Sequence, residues 1–109
     1  MYTEGNPKIS IVQGDSYTRE ISFKGIELNL IEKIYFSSCG LNFCKELSKD
    51  IYNNVFVLYL SANDTSNFNV GTHDFDLTVQ FTNKDVKTIQ YKSIISILEK
   101  CNKVICYEW

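Results

Sequence analysis

The stretch Asp64-Thr65-Ser66-Asn67-Phe68-Asn69-Val70-Gly71-Thr72-His73-Asp74-Phe75-Asp76-Leu77-Thr78-Val79-Gln80-Phe81 decides the fold class. A polar turn and a glycine lead into unbroken apolar/polar alternation. His73, Phe75, Leu77, Val79 and Phe81 fall on one face, and Asp74, Asp76, Thr78 and Gln80 fall on the other. A period of two sustained over this length is an antiparallel strand with one face against a core. It carries no catalytic signature, so it points to a scaffold before it points to chemistry.

Working outward, residues 82–85 form a polar hairpin loop and residues 86–98 a long strand, with Ile89, Tyr91, Ile95 and Ile97 mainly on one side. Residues 99–103 turn again, and 104–109 end the chain as a last strand or apolar tail. Toward the N-terminus, residues 8–12 predict a short strand, 13–16 a turn, and 17–23 a second strand. Lys24-Gly25 breaks that strand, and Ile26-Glu27-Leu28 resumes it. Residues 30–38 predict a third strand with Ile34 and Phe36 on one face. It turns at Cys39-Gly40 into a fourth, 41–47, its hairpin partner. Ser48-Lys49-Asp50 reads as a polar turn and Asn53-Asn54 as a second turn or bulge. Residues 55–60 are almost continuously apolar, as in a strand covered on both faces or lying at an interface. Residues 61–65 read as a turn, and 66–70 as one helical turn or an irregular crossover.

The composition agrees. The 109 residues suit one domain, 1–109, and they are rich in Phe and Tyr with a single proline, Pro7. Seven or eight short strands with turns every eight to twelve residues predict an all-β, immunoglobulin-like antiparallel β-sandwich, with a small barrel as competitor. The net charge of −2, without a basic run, gives no electrostatic reason to bind nucleic acid. Residues 1–6 lack the basic start and apolar stretch of a secretory signal, and no segment approaches the roughly 20 apolar residues of a membrane span. Synthesis in a cytoplasm is expected.

Four cysteines occur as two pairs of equal spacing, Cys39/Cys44 and Cys101/Cys106. A four-cysteine zinc site and disulfides are competing readings. Zinc knuckles favour tighter spacing and cytoplasmic thiols stay reduced, so free thiols packed as small hydrophobes, with no cofactor and no metal, are expected. Asp74 and Asp76 lie about 7 Å apart on one strand face. Nothing enclosing accompanies them, so a solvated face or polar contact with a neighbouring subunit is expected rather than acid–base work or calcium binding. No serine sits in a nucleophile elbow and no glycine-rich loop cradles a phosphate. His73, the only histidine, is expected to donate a ring N–H to a backbone carbonyl where the strand begins. Asp64 is expected to bond the backbone two residues ahead. Trp109, next to Tyr107 at the C-terminus, is expected to dock on its own or a neighbouring domain.

Gly14-Asp15 follows the first strand and Tyr17 opens the next. Ile34-Tyr35-Phe36-Ser37, Asp64-Thr65, Gly71 with Phe75-Asp76-Leu77, Val86-Lys87-Thr88-Ile89 and Ile95-Ser96-Ile97 follow in order. This series resembles the small immunoglobulin-like domains of tailed phages of low-GC Gram-positive bacteria, found at the N-terminus of baseplate upper proteins and as stand-alone virion proteins. The resemblance spans residues 9–98. His73 stands where that family usually has tyrosine, residues 91–93 lack its glycine, and residues 99–109 have no counterpart in it.

The resemblance implies a non-enzymatic virion structural or assembly protein of tail, baseplate or neck. Its partners would be other virion proteins or itself, as a trimer or hexamer, with no nucleic acid, membrane or small-molecule substrate. It would reside in the host cytoplasm and then in the virion. Gly71, His73, Phe75, Asp76 and Leu77 are the structural motif. Tyr107, Trp109, Leu41 and Phe43 are the candidate interface, with residues 41–47 and the C-terminal strand as candidate edges for strand addition. The alternative is a phage- or mobile-element-encoded inhibitor of a host defence nuclease, of the anti-CRISPR kind. A carbohydrate-binding sandwich is disfavoured because no face forms an aromatic platform.

Overall fold

In the computed structural model, which describes residues 8–23 and 27–100, eight strands form two facing sheets. In chain order they are β1 (Ile9–Val12), β2 (Tyr17–Ile21), β3 (Ile31–Ser38), β4 (Phe43–Glu46), β5 (Ser48–Asp50), β6 (Val55–Leu60), β7 (Gly71–Phe81) and β8 (Val86–Leu98), with one short helix, α1 (Ala62–Ser66), between β6 and β7. Among the described residues the larger sheet runs β1-β8-β7-β3-β4 and the smaller runs β2-β6-β5. This is the expected all-β, immunoglobulin-like sandwich, with one departure. β1 pairs with β8 in parallel, Ile9 opposite Ile95 and Val12 opposite Leu98, while every other pairing is antiparallel.

The two sheets meet over one apolar cluster. Ile34, Phe36, Phe75, Leu77, Val79, Ile95 and Ile97 come from the larger sheet and face Ile21, Phe56, Leu58 and Leu60 from the smaller. Each such side chain stabilises the fold by roughly 1.5–3 kcal/mol through removal from water. The alternation along β7 sets this arrangement: Phe75, Leu77 and Val79 are buried, and their neighbours are not.

Several local expectations are corrected. Ser48-Lys49-Asp50 is the strand β5, paired with residues 55–57, and not a turn. The chain changes sheets at Leu47, which is buried and donates its N–H to the Ile34 carbonyl at 2.8 Å. A short strand at a sheet margin has little to cover, so its residues are polar and read as loop. The turn lies at residues 51–54 instead, where Asn54 takes φ 59°. Leu28 does not resume β2: Leu28–Leu30 is a 3-10 turn, and Ile26 lies outside the described residues. β6 is covered on one face only, since Phe56, Leu58 and Leu60 are buried while Tyr59 is exposed. The helical turn comes earlier than expected, at Ala62–Ser66.

β8 is not a simple alternation either. Its pairing with β7 shifts register between Phe75 and Leu77 and again between Leu77 and Thr78, so Gln90 and Ser93 are buried on the same strand as Ile95 and Ile97. Extra residues of this kind reverse the side-chain phase, as bulges do. The expected inward Tyr91 is a side chain outside the described set.

Candidate functional site

The motif residues converge where β7 begins, beside the β3–β4 hairpin. Gly71 opens β7 at φ +129°, a backbone shape that side chains resist. Two residues on, Nε2–H of His73 donates to the Asn69 carbonyl at 2.8 Å, closing the loop that leads into the strand. Phe75 and Leu77 point into the core. Between them, Asp76 faces out, and its Oδ1 accepts the backbone N–H of Lys92 at 2.8 Å. Lys92 has φ 51°, so Asp76 holds the strained residue of the β8 bulge. The expectation of a merely solvated carboxylate is corrected for Asp76.

The hairpin tip, residues 39–42, is fixed from three directions. Ser38, buried at the end of β3, donates its hydroxyl to the Asp74 carbonyl at 2.7 Å and accepts the Leu41 N–H at 3.2 Å. Leu41 turns inward, only 7% exposed. Gly40 lies against the ring of His73. Phe43 then enters a line of rings: Phe75 stacks on Phe36 at 5.1 Å, Phe36 meets Phe43 edge-on at 6.2 Å, and Phe43 meets Phe68 at 4.9 Å. Leu41 and Phe43, expected at an interface, therefore belong to the packing of the sandwich itself. Tyr107 and Trp109 lie outside the described residues.

A second cluster joins segments far apart in sequence. Thr65 is completely buried in α1; its hydroxyl donates to the Asp15 carbonyl at 2.8 Å and accepts the Gly14 N–H at 3.1 Å. Gln13 Nε2 adds a bond to the Phe68 carbonyl at 2.9 Å. Asp64, rather than bonding forward, reaches back. Its Oδ2 accepts the Ser61 N–H at 3.0 Å while its own N–H goes to the Ser61 hydroxyl, a reciprocal helix cap. Lys45 of β4 donates to the same oxygen at 3.1 Å and lies 5.4 Å from the centre of the Tyr59 ring. The hydrogen bond from Ser61 is the main reason that the Asp64 carboxyl is held below its ordinary value, with Lys45 adding to it.

Lys45 also bears on strand addition. A charge turned inward along a marginal strand is a recognised guard against edge pairing, and β4 is only four residues long. Residues 41–47 are a guarded edge rather than an open one.

Outside the core, the same hairpin borders two shallow depressions. One of about 290 Å³ is lined by Ser37, Cys39, Gly40, Asp74, Asp76 and Lys92, together with Phe75. The other, about 260 Å³, contains both Cys39 and Cys44. Both thiols are free and exposed, where packed hydrophobes were expected. Among the described residues no group of three or more His, Cys, Asp or Glu is placed to hold a metal ion, and no helix is long and apolar enough to cross a membrane.

Sequence reasoning missed Ser38, Gly40, Thr65 and Lys45. Gly40 and Thr65 stood inside recognised turns, but their partners are remote in sequence and leave no local signal. No protein-family model matches the chain, and neither does any curated protein.

Proposed function

We propose that the chain is a non-enzymatic structural or assembly protein of a phage virion, a component of tail, baseplate or neck that acts through protein–protein contacts with other virion proteins or with copies of itself. One observation carries the reading. The residues that bear the resemblance serve the frame: Gly14-Asp15 bonds Asp64-Thr65, and Gly71, His73, Phe75, Asp76 and Leu77 build the start of β7. None of them is gathered with a second reactive group in an enclosed cleft, which is what acid–base or nucleophilic chemistry needs.

A contact surface of matching character also supports it. At the β5–β6 turn, Ile51 is 79% and Tyr52 96% exposed. The turn is held from within, since Asp50 accepts both the backbone and side-chain N–H groups of Asn53. Large side chains carried on a stiff turn lose little entropy when they dock.

Multi-angle light scattering with negative-stain microscopy of the purified full chain tests the proposal. Discrete rings or trimers are expected, and antibody against the chain should label virions of the phage that encodes it. A monomer that restores plaque formation on a host carrying an active defence nuclease overturns the proposal in favour of the inhibitor reading.

A further inference from the structure

We propose that the outer face of the smaller sheet is a docking site for a protein segment whose apolar residues are flanked by lysine or arginine. The proposal rests on the assembly reading above and names the face and the chemistry of the partner. Alternation along β6 turns Phe56, Leu58 and Leu60 into the core, so Val55, Val57 and Tyr59 face outward. They form an apolar stripe of about 13 Å down the middle strand of the sheet. Ile51 and Tyr52, exposed on the turn before β6, stand at its end. The outward positions of β7, by contrast, are Asp74, Asp76, Thr78 and Gln80, the polar face of a strand in contact with water.

The charges around the stripe select the partner. Glu20 of β2 stands opposite Val57 and Asp50 of β5 stands opposite Val55, one carboxylate on each side. Residues opposite one another in an antiparallel pair share a face, so both carboxylates border the stripe. Lys49, next to Asp50 in β5, points the other way, and its amine donates to the Ile31 carbonyl at 3.0 Å. Lys45 reaches the Tyr59 ring, but Asp64 neutralises it at 3.1 Å. These charges leave the face negative. A second copy of the same face would set Glu20 and Asp50 against their own kind, and like charges brought together across a contact cost affinity. An anionic lipid surface is repelled for the same reason. Apolar residues between lysines or arginines cover the stripe and answer both carboxylates.

The test is photo-crosslinking of the full chain in cells infected with the phage that encodes it, with the cross-linked peptides sequenced by mass spectrometry. The probe is Tyr59→p-benzoylphenylalanine, one exposed aromatic ring for another, and the control is the same substitution at exposed Thr88. The probe at position 59 should capture a peptide of a different protein that carries lysine or arginine around apolar residues, and the control should not. Adding Glu20→Lys and Asp50→Asn to the probe chain should cut that yield about tenfold. Glu20 is exposed and Asp50→Asn keeps an oxygen for Asn53, and circular dichroism checks that the fold is kept. Should the combined variant not fold, Glu20→Lys alone decides. Capture of a second copy, of residues 101–109 of the same chain, of lipid or of nothing overturns the proposal, as does a yield that the charge changes leave unaltered. A basic, apolar peptide from a host protein upholds this docking face and overturns the virion reading. Rings that form without a cross-link at position 59 do the reverse.

Discussion

The ring of His73 rests on the bare Cα of Gly40: a Cβ at that position would meet Nδ1 at 2.8 Å. Gly40→Ala must displace the ring or the turn, and overpacking of this kind costs about 1–3 kcal/mol. The ring also carries the hydrogen bond to Asn69, so the two effects are coupled. Urea denaturation of Gly40→Ala, His73→Ala and the double variant should show the glycine substitution to be nearly harmless once the ring is gone. Strictly additive losses would refute the contact.

Asp76→Ala removes the acceptor for the Lys92 N–H and should destabilise the protein by about 1.5–3 kcal/mol, as for hydrogen bonds to charged groups. Asp76→Asn keeps an oxygen in place and should lose less. Hydrogen exchange at the Lys92 amide is the direct readout, and it should speed up most in the alanine variant.

Thr65→Val preserves shape but deletes the hydroxyl, leaving the Gly14 N–H and the Asp15 carbonyl without their partner. A cost of about 0.5–1.5 kcal/mol is expected for losing hydrogen bonds to part-buried backbone groups. Thr65→Ser should recover most of it. Equal stability of the valine and serine variants would contradict the bonding described.

The Asp64 carboxyl titrates below its ordinary value, chiefly because the Ser61 N–H donates to it. The unfolded chain therefore takes up this proton at higher pH than the folded chain. The stabilisation is full above the unfolded value, near pH 4, and is lost as pH falls through the lower folded value. Asp64→Asn should be less stable than the parent at pH 7, with the gap closing as pH falls below the unfolded value. Ser61→Ala should cost about 1 kcal/mol at neutral pH.

Strands that cover one face are legible in the sequence because a period of two survives translation into burial. β7 and β3 follow this rule closely. β5 does not, because a marginal strand of three residues needs no apolar face. The phase of β8 is hidden by its bulges, one of which is held by the bond from Lys92 to Asp76 on the neighbouring strand. The His73 hydrogen bond follows from ring chemistry and a strand beginning at a glycine. The contact with Gly40 does not, since it depends on how the β3–β4 tip folds against β7. Leu41 and Phe43 are candidate interface residues in the sequence, and only the folded tip, with Leu41 buried and Phe43 half-buried between Phe36 and Phe68, shows them packed against the core.

The parallel union of β1 with β8 joins Ile9 to Ile95, segments far apart in sequence with every other described strand between them. A nascent chain on the ribosome must hold β1 unsatisfied until β8 emerges. Pairing of β1 consequently comes late in the assembly of the larger sheet, slowed by the entropy of closing so large a loop. Loss of the end of β8 would release β1 with it.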